Sequence, residues 1–324
     1  MGGVVEGVRL VNLTGDQLVG MVMVRRVFVD TAWNSKPHTC YDPAEDKFFE
    51  VEDLAGLAGR YDEVYIDCAL FPNMWGQLKA LIDDGARVFC FAWPWKWKKL
   101  RERYADLLKK RFGKSKTDYG DAYILSRIYG VPKAFREITP LDVEFKPLLV
   151  KEKMLADELQ RLRQRQELGV NVEDVISIIK EELEKARQEI VEKARERIPR
   201  FTDIAEELGL SDNDVNALSA LVGLLIYLKW PHKVISMHKA IRYLGLYKPT
   251  KEDMKKFEER RGEKYKKRYN GCVRRYLIAL TAAILKKERS AFPPKARDEK
   301  KVLRRLLSIL RGCNNGADAG GEAG

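Results

Sequence analysis

The segment Arg25-Arg26-Val27-Phe28-Val29-Asp30 decides the fold of the first part of the chain, because its three consecutive apolar residues end on a carboxylate. A short apolar run of this kind predicts a buried strand. Val64-Tyr65-Ile66 is a second such run, and Asp67 follows it directly. We therefore expect two strands, far apart in the sequence, that each end on an aspartate and are able to converge in the folded chain.

A second pair of aspartates lies at the start of a predicted helix. In Lys116-Thr117-Asp118-Tyr119-Gly120-Asp121-Ala122, the two aspartates are three residues apart and therefore share one helix face. Any one aspartate at a strand end or helix start is also an ordinary turn or cap residue. Together with Asp30 and Asp67, however, this pair would supply the oxygen ligands that hold Mg²⁺ or Mn²⁺ in phosphodiester chemistry. The four residues predict a divalent metal site.

The composition restricts the class of protein. The chain has 324 residues, and 60 Lys and Arg against 48 Asp and Glu give it a net charge of +12. Such a basic balance favours a polyanionic partner. An apolar share of 45% is that of a folded protein. The five cysteines have no CxxC spacing and there are only three histidines, which argues against a disulfide framework, a zinc site and a histidine-based catalytic site.

Neither a secretory signal nor a membrane segment is visible in the sequence. The longest apolar run, 215–227, is interrupted by polar residues and is too short to span a bilayer. The odd number of cysteines fits a reducing compartment. These features predict a soluble protein of the cytoplasm.

Residues 23–147 follow an α/β pattern, preceded by residues 1–22, which we expect to be an extension without stable structure. The predicted strands are Arg25–Asp30, His38–Tyr41, Lys47–Val51, Glu63–Cys68 and Ala86–Phe91. The predicted helices are Met74–Asp84, Trp97–Phe112 and one that begins at Thr117. A start with three strands, followed by alternating helices and strands, is the order of an RNase H-like sheet.

Residues 148–199 form a connector of two charged helices, predicted at Lys151–Glu167 and Glu173–Arg197. Apolar residues form one stripe on each helix: Leu155, Leu159 and Leu162 on the first, and Val175, Ile178, Ile179, Leu183 and Ile190 on the second. The pattern suits an antiparallel hairpin or an intermolecular coiled coil, and two solvated helices on a monomer are the bland alternative. The coiled coil would make the protein a homo-oligomer through residues 150–197.

The remainder of the chain is predicted to be all-helical. Residues 200–311 form the C-terminal domain, with helices at Asp203–Leu208, Asp212–Leu228, Ser236–Leu244, Lys251–Arg268, Cys272–Glu288 and Lys300–Leu310. Residues 312–324 contain glycine and asparagine and are expected to form a disordered tail.

Two basic segments are candidates for contact with nucleic acid, through phosphate neutralisation and stacking on bases. The first provides Lys96, Trp97, Lys98, Lys99 and Arg101, with Lys114 and Lys116 beside the second aspartate pair. The second provides Arg260, Arg261, Lys264, Lys267, Arg268, Arg274 and Arg275. The alternative for the second segment is a solvated helix face. Trp93 and Trp95, which follow a predicted strand, are interpreted as core residues.

Residues 25–130 resemble the RuvC-like domain of the DEDD transposases of the insertion-sequence-110 family, which are RNA-guided recombinases. The most specific match is Lys116-Thr117-Asp118-Tyr119-Gly120-Asp121-Ala122, which is similar to the Lys-Thr-Asp-x-x-Asp-Ala segment of that family. The connector is similar in position to the family's coiled coil. The helical part resembles its C-terminal domain more weakly, through Tyr243-Leu244-Gly245-Leu246 and the segment 270–277.

The resemblance implies a catalytic role for Asp30, Asp67, Asp118 and Asp121 as ligands of Mg²⁺ or Mn²⁺, with DNA as substrate and a guide RNA as partner. The sequence departs from the family in two places. Asp67 stands where the family usually has glutamate. The family's nucleophilic serine is absent after Gly245-Leu246, where Thr250 is the only nearby aliphatic hydroxyl and thus a weak candidate nucleophile.

Three functions remain open from the sequence. The first is a DNA transposase or recombinase that acts through the four aspartates. The second is a catalytically degenerate relative that binds nucleic acid without cutting it, which the missing serine favours. The third is a metal-dependent nuclease of the junction-resolving type, which needs no serine.

Overall fold

The structure is a computed structural model that describes residues 8–9, 22–32, 36–69, 74–114, 116–233, 235–261, 270–288 and 294–317. The chain divides into two compact units, Met1–Pro147 and Leu148–Gly324. Each unit is described below by itself. Among the described residues, no helix is long and apolar enough to cross a membrane.

Within the described part of the first unit, six strands form one mixed sheet. They are β1 (Arg26–Asp30), β2 (His38–Asp42), β3 (Lys47–Val51), β4 (Glu63–Ile66), β5 (Arg87–Phe91) and β6 (Phe135–Ile138). Their order across the sheet is β3-β2-β1-β4-β5-β6. The first three strands pair antiparallel, β4 and β5 run parallel to β1, and β6 is antiparallel to β5. The predicted α/β architecture is confirmed.

Helices cover both faces of the sheet, because successive side chains of a strand point to opposite sides. Val27 and Val29 of β1 lie in the core beneath helix α1 (Met74–Asp83). Phe28 lies on the other side, in an aromatic-rich core with helix α4 (Asp118–Ile128). Asp30 comes two residues after Phe28 and therefore follows the α4 side of the sheet.

The predicted helix Trp97–Phe112 is wrong as a single element. A 3₁₀ turn at Pro94–Lys96 leads into α2 (Trp97–Arg103), and a separate α3 (Ala105–Phe112) follows. The break is at Tyr104, whose φ of −100° and ψ of 8° leave the helical region while its ring packs on the sheet core. No glycine or proline marks the break, so only the packing reveals it.

Strand β6 was not predicted, because Phe135-Arg136-Glu137-Ile138 carries only two apolar residues. It is held at the sheet edge by backbone pairing with β5 and by the ion pair of Arg87 with Glu137, whose Nε···Oε1 distance is 3.0 Å.

Helix α5 (Pro140–Glu167) begins eleven residues earlier than predicted and passes through Pro147. A reciprocal cap fixes its start, because the Thr139 backbone N–H donates to Asp142 Oδ2 at 2.9 Å and the Asp142 N–H donates to Thr139 Oγ1 at 3.3 Å. The helix tolerates Pro147 at the loss of one backbone hydrogen bond.

In the second unit, α5 and α6 (Glu173–Arg197) share a buried apolar cluster of Leu159, Leu162, Ile176 and Leu183. The connector is therefore an antiparallel hairpin within one chain. The predicted α6 stripe is partly wrong, since Val175 and Ile178 are 46% and 60% exposed while Ile176 is buried. Ala186 and Ile190 continue the buried face, along which α6 packs on α8.

The remaining described helices are α7 (Phe201–Glu207), α8 (Val215–Leu228), α9 (Met237–Tyr243), α10 (Lys251–Arg261), α11 (Gly271–Glu288) and α12 (Ala296–Ala317). Helices α8 and α11 approach closely at Gly223, where an added Cβ would lie 2.8 Å from the ring of Tyr276. The predicted continuation of α10 to Arg268 lies outside the described residues.

Both chain ends differ from expectation where they are described. In the predicted extension, Val8–Arg9 pairs antiparallel with Val22–Met23. In the predicted disordered tail, α12 continues through Gly312 to Ala317, because Cys313 is buried on the apolar face of that helix. The other residues of 1–21 and residues 318–324 lie outside the described part.

Candidate active site

The pairing of β1 with β4 brings two of the predicted aspartates together. Val29 lies opposite Ile66 in this parallel pair, so that Asp30 and Asp67 are the next residues on neighbouring strands. The backbone N–H of Asp67 donates to the carbonyl of Val29 at 3.2 Å and extends the pairing beyond the strand. The two carboxylates thus leave the sheet side by side at its carboxyl edge.

Helix α4 brings the other two aspartates to the same edge, since it packs on β1 and β2. Its N-cap is Thr117, whose hydroxyl accepts a hydrogen bond from the Gly120 N–H at 2.9 Å. A Cβ at Gly120 would lie 3.0 Å from the Thr117 hydroxyl and 3.3 Å from Leu108, so glycine allows the cap and the packing together. This start places exposed Asp118 and buried Asp121 one turn apart.

The electrostatics of Asp30 show that the four carboxylates share one region. The pKa of Asp30 is raised to about 9, mainly by burial and then by the negative charges of Asp67, Asp121 and Asp118, while Arg101 opposes the shift. Burial and neighbouring negative charges both disfavour the charged form, so the Asp30 carboxyl is protonated at neutral pH. The cluster therefore contains more negative charge than the surrounding protein compensates.

Thr31 fixes the orientation of Asp67. Its hydroxyl donates to Asp67 Oδ1 at 2.6 Å, and its backbone N–H donates to the same oxygen at 2.9 Å. Burial raises the pKa of Asp67, and these two hydrogen bonds from Thr31 act in the opposite direction. Sequence reasoning missed Thr31, whose only signal is that it directly follows Asp30.

Arg101 pairs with Asp121 inside the cluster. The guanidinium Nε donates to Asp121 Oδ1 at 2.8 Å, and Nη2 donates to Oδ2. The Asp121 side chain is only 5% exposed, so the guanidinium is its main compensating charge. Arg101 was predicted to contact nucleic acid, and in this structure it serves as the cation of the acidic cluster.

The donor chemistry of the cluster fits a hard divalent cation, because all four side chains offer carboxylate oxygens at a place of uncompensated charge. The positions of these oxygens, however, do not form a metal site in the present arrangement of the side chains. Among the described residues, no three Asp, Glu, His or Cys side chains are close enough together to hold a metal ion as they stand. Both oxygens of Asp121 are engaged by Arg101, so a metal would gain this ligand only if the guanidinium released it.

A cleft of about 390 Å³ opens beside the cluster. Asp30 and Asp118 form part of its wall, and the other lining residues are Thr31, Ala32, Lys36, Pro37 and Thr39. The cleft therefore opens onto the carboxylates of Asp30 and Asp118. Sequence reasoning did not select Lys36 or Thr39, which belong to no motif.

The first basic segment is only partly available for nucleic acid. The Nζ atom of Lys96 lies 3.8 Å from the centre of the Trp93 ring. Trp97 is half-buried, with its ring 5.2 Å from that of Phe91. Trp97 was predicted to contact nucleic acid, but its ring packs on the core, as was predicted for Trp93. The guanidinium of Arg101 lies over the Trp97 ring, 5.5 Å from its centre. Of the cations predicted to contact nucleic acid in this region, Lys98, Lys99, Lys114 and Lys116 are exposed.

The second basic segment lies in the helical unit, where its described cations have acidic partners. Arg274 forms two hydrogen bonds of 3.1 Å with buried Glu299. Arg275 Nη2 lies 2.5 Å from Oε2 of buried Glu152. Arg260 and Arg261 belong to α10, of which the structure describes only the backbone at these two positions. Lys264, Lys267 and Arg268 lie outside the described residues.

Thr250, the weak candidate nucleophile, also belongs to the helical unit and is exposed. Its carbonyl accepts a hydrogen bond from the Met254 N–H at 3.1 Å at the start of α10. The residue therefore has a structural role as a helix-start residue.

The fold and the site define an α/β protein with an acidic cluster at the carboxyl edge of its sheet. In comparisons with known proteins, no family model matches the chain, and no curated protein matches it.

Replacing Arg101 with Gln should destabilise the α/β unit by about 3 kcal/mol, because it leaves a buried carboxylate without its partner. Urea unfolding followed by tryptophan fluorescence measures this loss, since Trp230 is the only tryptophan outside this unit. Arg103→Gln is the matched control, because Arg103 is exposed on the same helix, and its effect should stay within about 0.5 kcal/mol. Equal losses in both variants would show that the Arg101–Asp121 pair has no specific role.

Proposed function

We propose that this chain is a DNA transposase or recombinase that acts through the cluster of Asp30, Asp67, Asp118 and Asp121. The observation that carries the proposal is the convergence of these four residues from three separate segments. The negative charges of Asp67, Asp121 and Asp118 each help to raise the pKa of Asp30. Carboxylate clusters of this kind serve phosphodiester chemistry, and the basic charge of the chain suits a nucleic-acid substrate.

The strand arrangement supports an RNase H-like, or RuvC-like, assignment for residues 23–147. An antiparallel group of three strands comes first, and β4 and β5 then add parallel to the central strand β1. The acidic residues at the ends of β1 and β4, and at the start of a later helix, agree with the resemblance to the DEDD transposases of the insertion-sequence-110 family. The connector and the helical unit take the places of that family's coiled coil and C-terminal domain.

Asp30, Asp67, Asp118 and Asp121 would hold Mg²⁺ or Mn²⁺. When bound, such an ion stabilises negative charge at a phosphate and lowers the pKa of a coordinated water. The protein's own residues prepare the site. Thr31 orients Asp67, and α4 sets the spacing of Asp118 and Asp121. The guanidinium of Arg101 compensates the charge of Asp121 until a metal ion takes its place.

Exposed cations of the same unit are proposed to hold the DNA backbone. Lys98 and Lys99 lie on α2, and Lys114 and Lys116 precede α4. A guide RNA is proposed from the family resemblance, and a discrete RNA that co-purifies with the protein would support it. We also propose a cytoplasmic location, in agreement with the five cysteines, which form no disulfide.

A specific observation favours a second function, that of a degenerate relative that binds nucleic acid without cutting it. Arg101 occupies both oxygens of Asp121, and the family serine is missing. A junction-resolving type of nuclease is the third proposal, since it needs the aspartates but no serine. Cleavage assays separate the second function from the other two.

We propose that the hairpin also mediates self-association. Val175 and Ile178 lie one turn apart on its outer face, and Leu168 at its tip is 83% exposed. The inner stripe is already buried within the chain, so removal of residues 150–197 would expose the helical core rather than test the assembly.

Surface substitutions test the assembly without disturbing that core. The variant Val175→Lys/Ile178→Lys should run as a smaller species than the wild type in light scattering, because two ammonium groups would have to be buried. Val131→Lys is the control, since Val131 is 43% exposed in the α/β unit. A monomeric wild type would exclude self-association through the hairpin.

Mg²⁺ should stabilise the folded protein by mass action and so raise its melting temperature. At a hundredfold excess over the dissociation constant, the gain in the free energy of unfolding is about 2.7 kcal/mol. Asp118→Asn should abolish the gain, and because Asp118 is exposed the variant should still fold. Asp106→Asn is the control, since Asp106 is an exposed first-turn aspartate of α3. Equal gains in all three proteins would contradict the metal site.

The same titration has a defined pH dependence. The pKa of Asp30, raised to about 9, means that the folded state keeps a proton that the unfolded chain releases near the ordinary value of 3.8. Stability therefore falls as the pH rises between these values. A metal ion requires the carboxylate form, so the Mg²⁺ gain should be larger at pH 8.5 than at pH 6.5. Asp30→Asn should lose this difference.

Strand cleavage with Mg²⁺ should survive Thr250→Ala and be lost in Asp118→Asn. The physical reason is that a coordinated water can replace the missing serine, whereas Thr250 has a hindered β-branched hydroxyl. Denaturing gels on labelled DNA should show free ends and no protein–DNA adduct. A denaturation-resistant adduct that disappears in Thr250→Ala would instead assign the nucleophile to Thr250.

A further inference from the structure

Lys36 lines the same cleft as Asp30 and Asp118, although no motif marked it. It is exposed, and within the described part of the chain no ion pair joins it to a carboxylate. Arg101, which also lies at the cluster, is already paired with Asp121, and Lys36 is the one cation among the described residues that line the cleft. Lys36 is therefore the lining cation that a ligand of the cleft would meet.

The backbone at Lys36 is held in place on the rim of the cleft. Pro37 restricts the backbone of Lys36 to extended conformations. His38 follows at the start of β2, and its Nδ1 accepts a hydrogen bond from the Ala32 N–H at 3.0 Å. Gln77 Oε1 lies 3.2 Å from the other ring nitrogen. The imidazole thus ties the two sides of the cleft, 31–32 and 36–38, to each other and to α1.

The charges around the cleft define what it accepts. Asp30 and Asp118 on one part of the wall would repel an anion unless a cation were bound to them. An anion between such a cation and Lys36 would be attracted from both sides. Lysine suits this position, because its ammonium is a mobile point charge with three donors that can follow a phosphate oxygen. A volume of about 390 Å³ accommodates a phosphate with its adjoining sugar.

We infer that Lys36 is a substrate-positioning residue, which binds a phosphate of the nucleic-acid strand that enters the cleft beside Asp30 and Asp118. The inference rests on the proposed function and adds to it the residue that contacts the strand at the acidic cluster. Thr31 and Thr39 line the cleft with hydroxyl groups, but the charge that selects a phosphodiester is that of Lys36.

The test is the binding of a labelled single-stranded DNA oligonucleotide, measured by fluorescence anisotropy with Ca²⁺ in place of Mg²⁺ to keep the strand intact. Lys36→Gln removes one phosphate contact and should reduce the slope of log affinity against log salt by about 0.7, which corresponds to about fivefold weaker binding at 0.1 M salt. Lys36→Arg keeps the charge and should retain the wild-type slope.

Lys47→Gln is the matched control. Lys47 is exposed and pairs with Asp42 in the β2–β3 register, at the opposite end of β2 from Thr39. The substitution Lys47→Gln removes the same charge from the same unit. It should leave the affinity for DNA and the slope of log affinity against log salt nearly unchanged. The thermal gain with Mg²⁺ is the second measurement, and Lys36→Gln should retain it.

The outcomes separate the inference from the proposed function. Equal binding by Lys36→Gln and Lys47→Gln would overturn the role of Lys36 and leave the proposed function intact. Loss of the Mg²⁺ gain in Lys36→Gln would overturn it in favour of a structural support of the acidic cluster. A wild type that binds no DNA at all would overturn the proposed function and this inference together.

Discussion

The placement of four carboxylates at one edge of the sheet is the constraint on which the rest of the α/β unit depends. Like charges in a partly buried region repel, and each must be hydrogen-bonded, paired or protonated. The structure uses all three solutions. Thr31 donates two hydrogen bonds to Asp67, Arg101 pairs with Asp121, and Asp30 keeps a proton at neutral pH because its pKa is raised to about 9.

The helical unit contains ion pairs whose carboxylates are buried to a degree similar to that of Asp121. There, buried Glu152 and Glu299 are held by Arg275 and Arg274, and they join helices that pack on one another. Separating such pairs would leave charges buried in the helical core. In the acidic cluster, by contrast, a bound divalent cation would take over the role of both the Asp30 proton and the Arg101 guanidinium. The same type of interaction therefore joins helices in one unit and compensates a buried carboxylate of the acidic cluster in the other.

Much of the fold and part of the site could be predicted from the sequence. The strands Lys47–Val51 and Arg26–Asp30 follow from short apolar runs, and helix α6 follows from its charged, periodic sequence, since these are local properties of the chain. The break at Tyr104, the strand Phe135–Ile138 and the early start of α5 were not predictable in this way. Each depends on a partner that is remote in the sequence: the sheet core for Tyr104, and β5 for Phe135–Ile138. The passage of α5 through Pro147 contradicts the local rule altogether.

The division is similar for the site. The sequence by itself determined which residues carry the charge: four aspartates at the ends of local elements, and cations in two basic segments. Only the tertiary structure decided how those charges are used, because the pairing of β1 with β4 and the packing of α2 against α4 join positions twenty to forty residues apart. It assigned Arg101 to Asp121, turned Trp97 towards Phe91 and placed Lys36 beside Asp30. Residue type fixes what a side chain is able to do, and distance, which the chain acquires only on folding, selects the partner with which it does so.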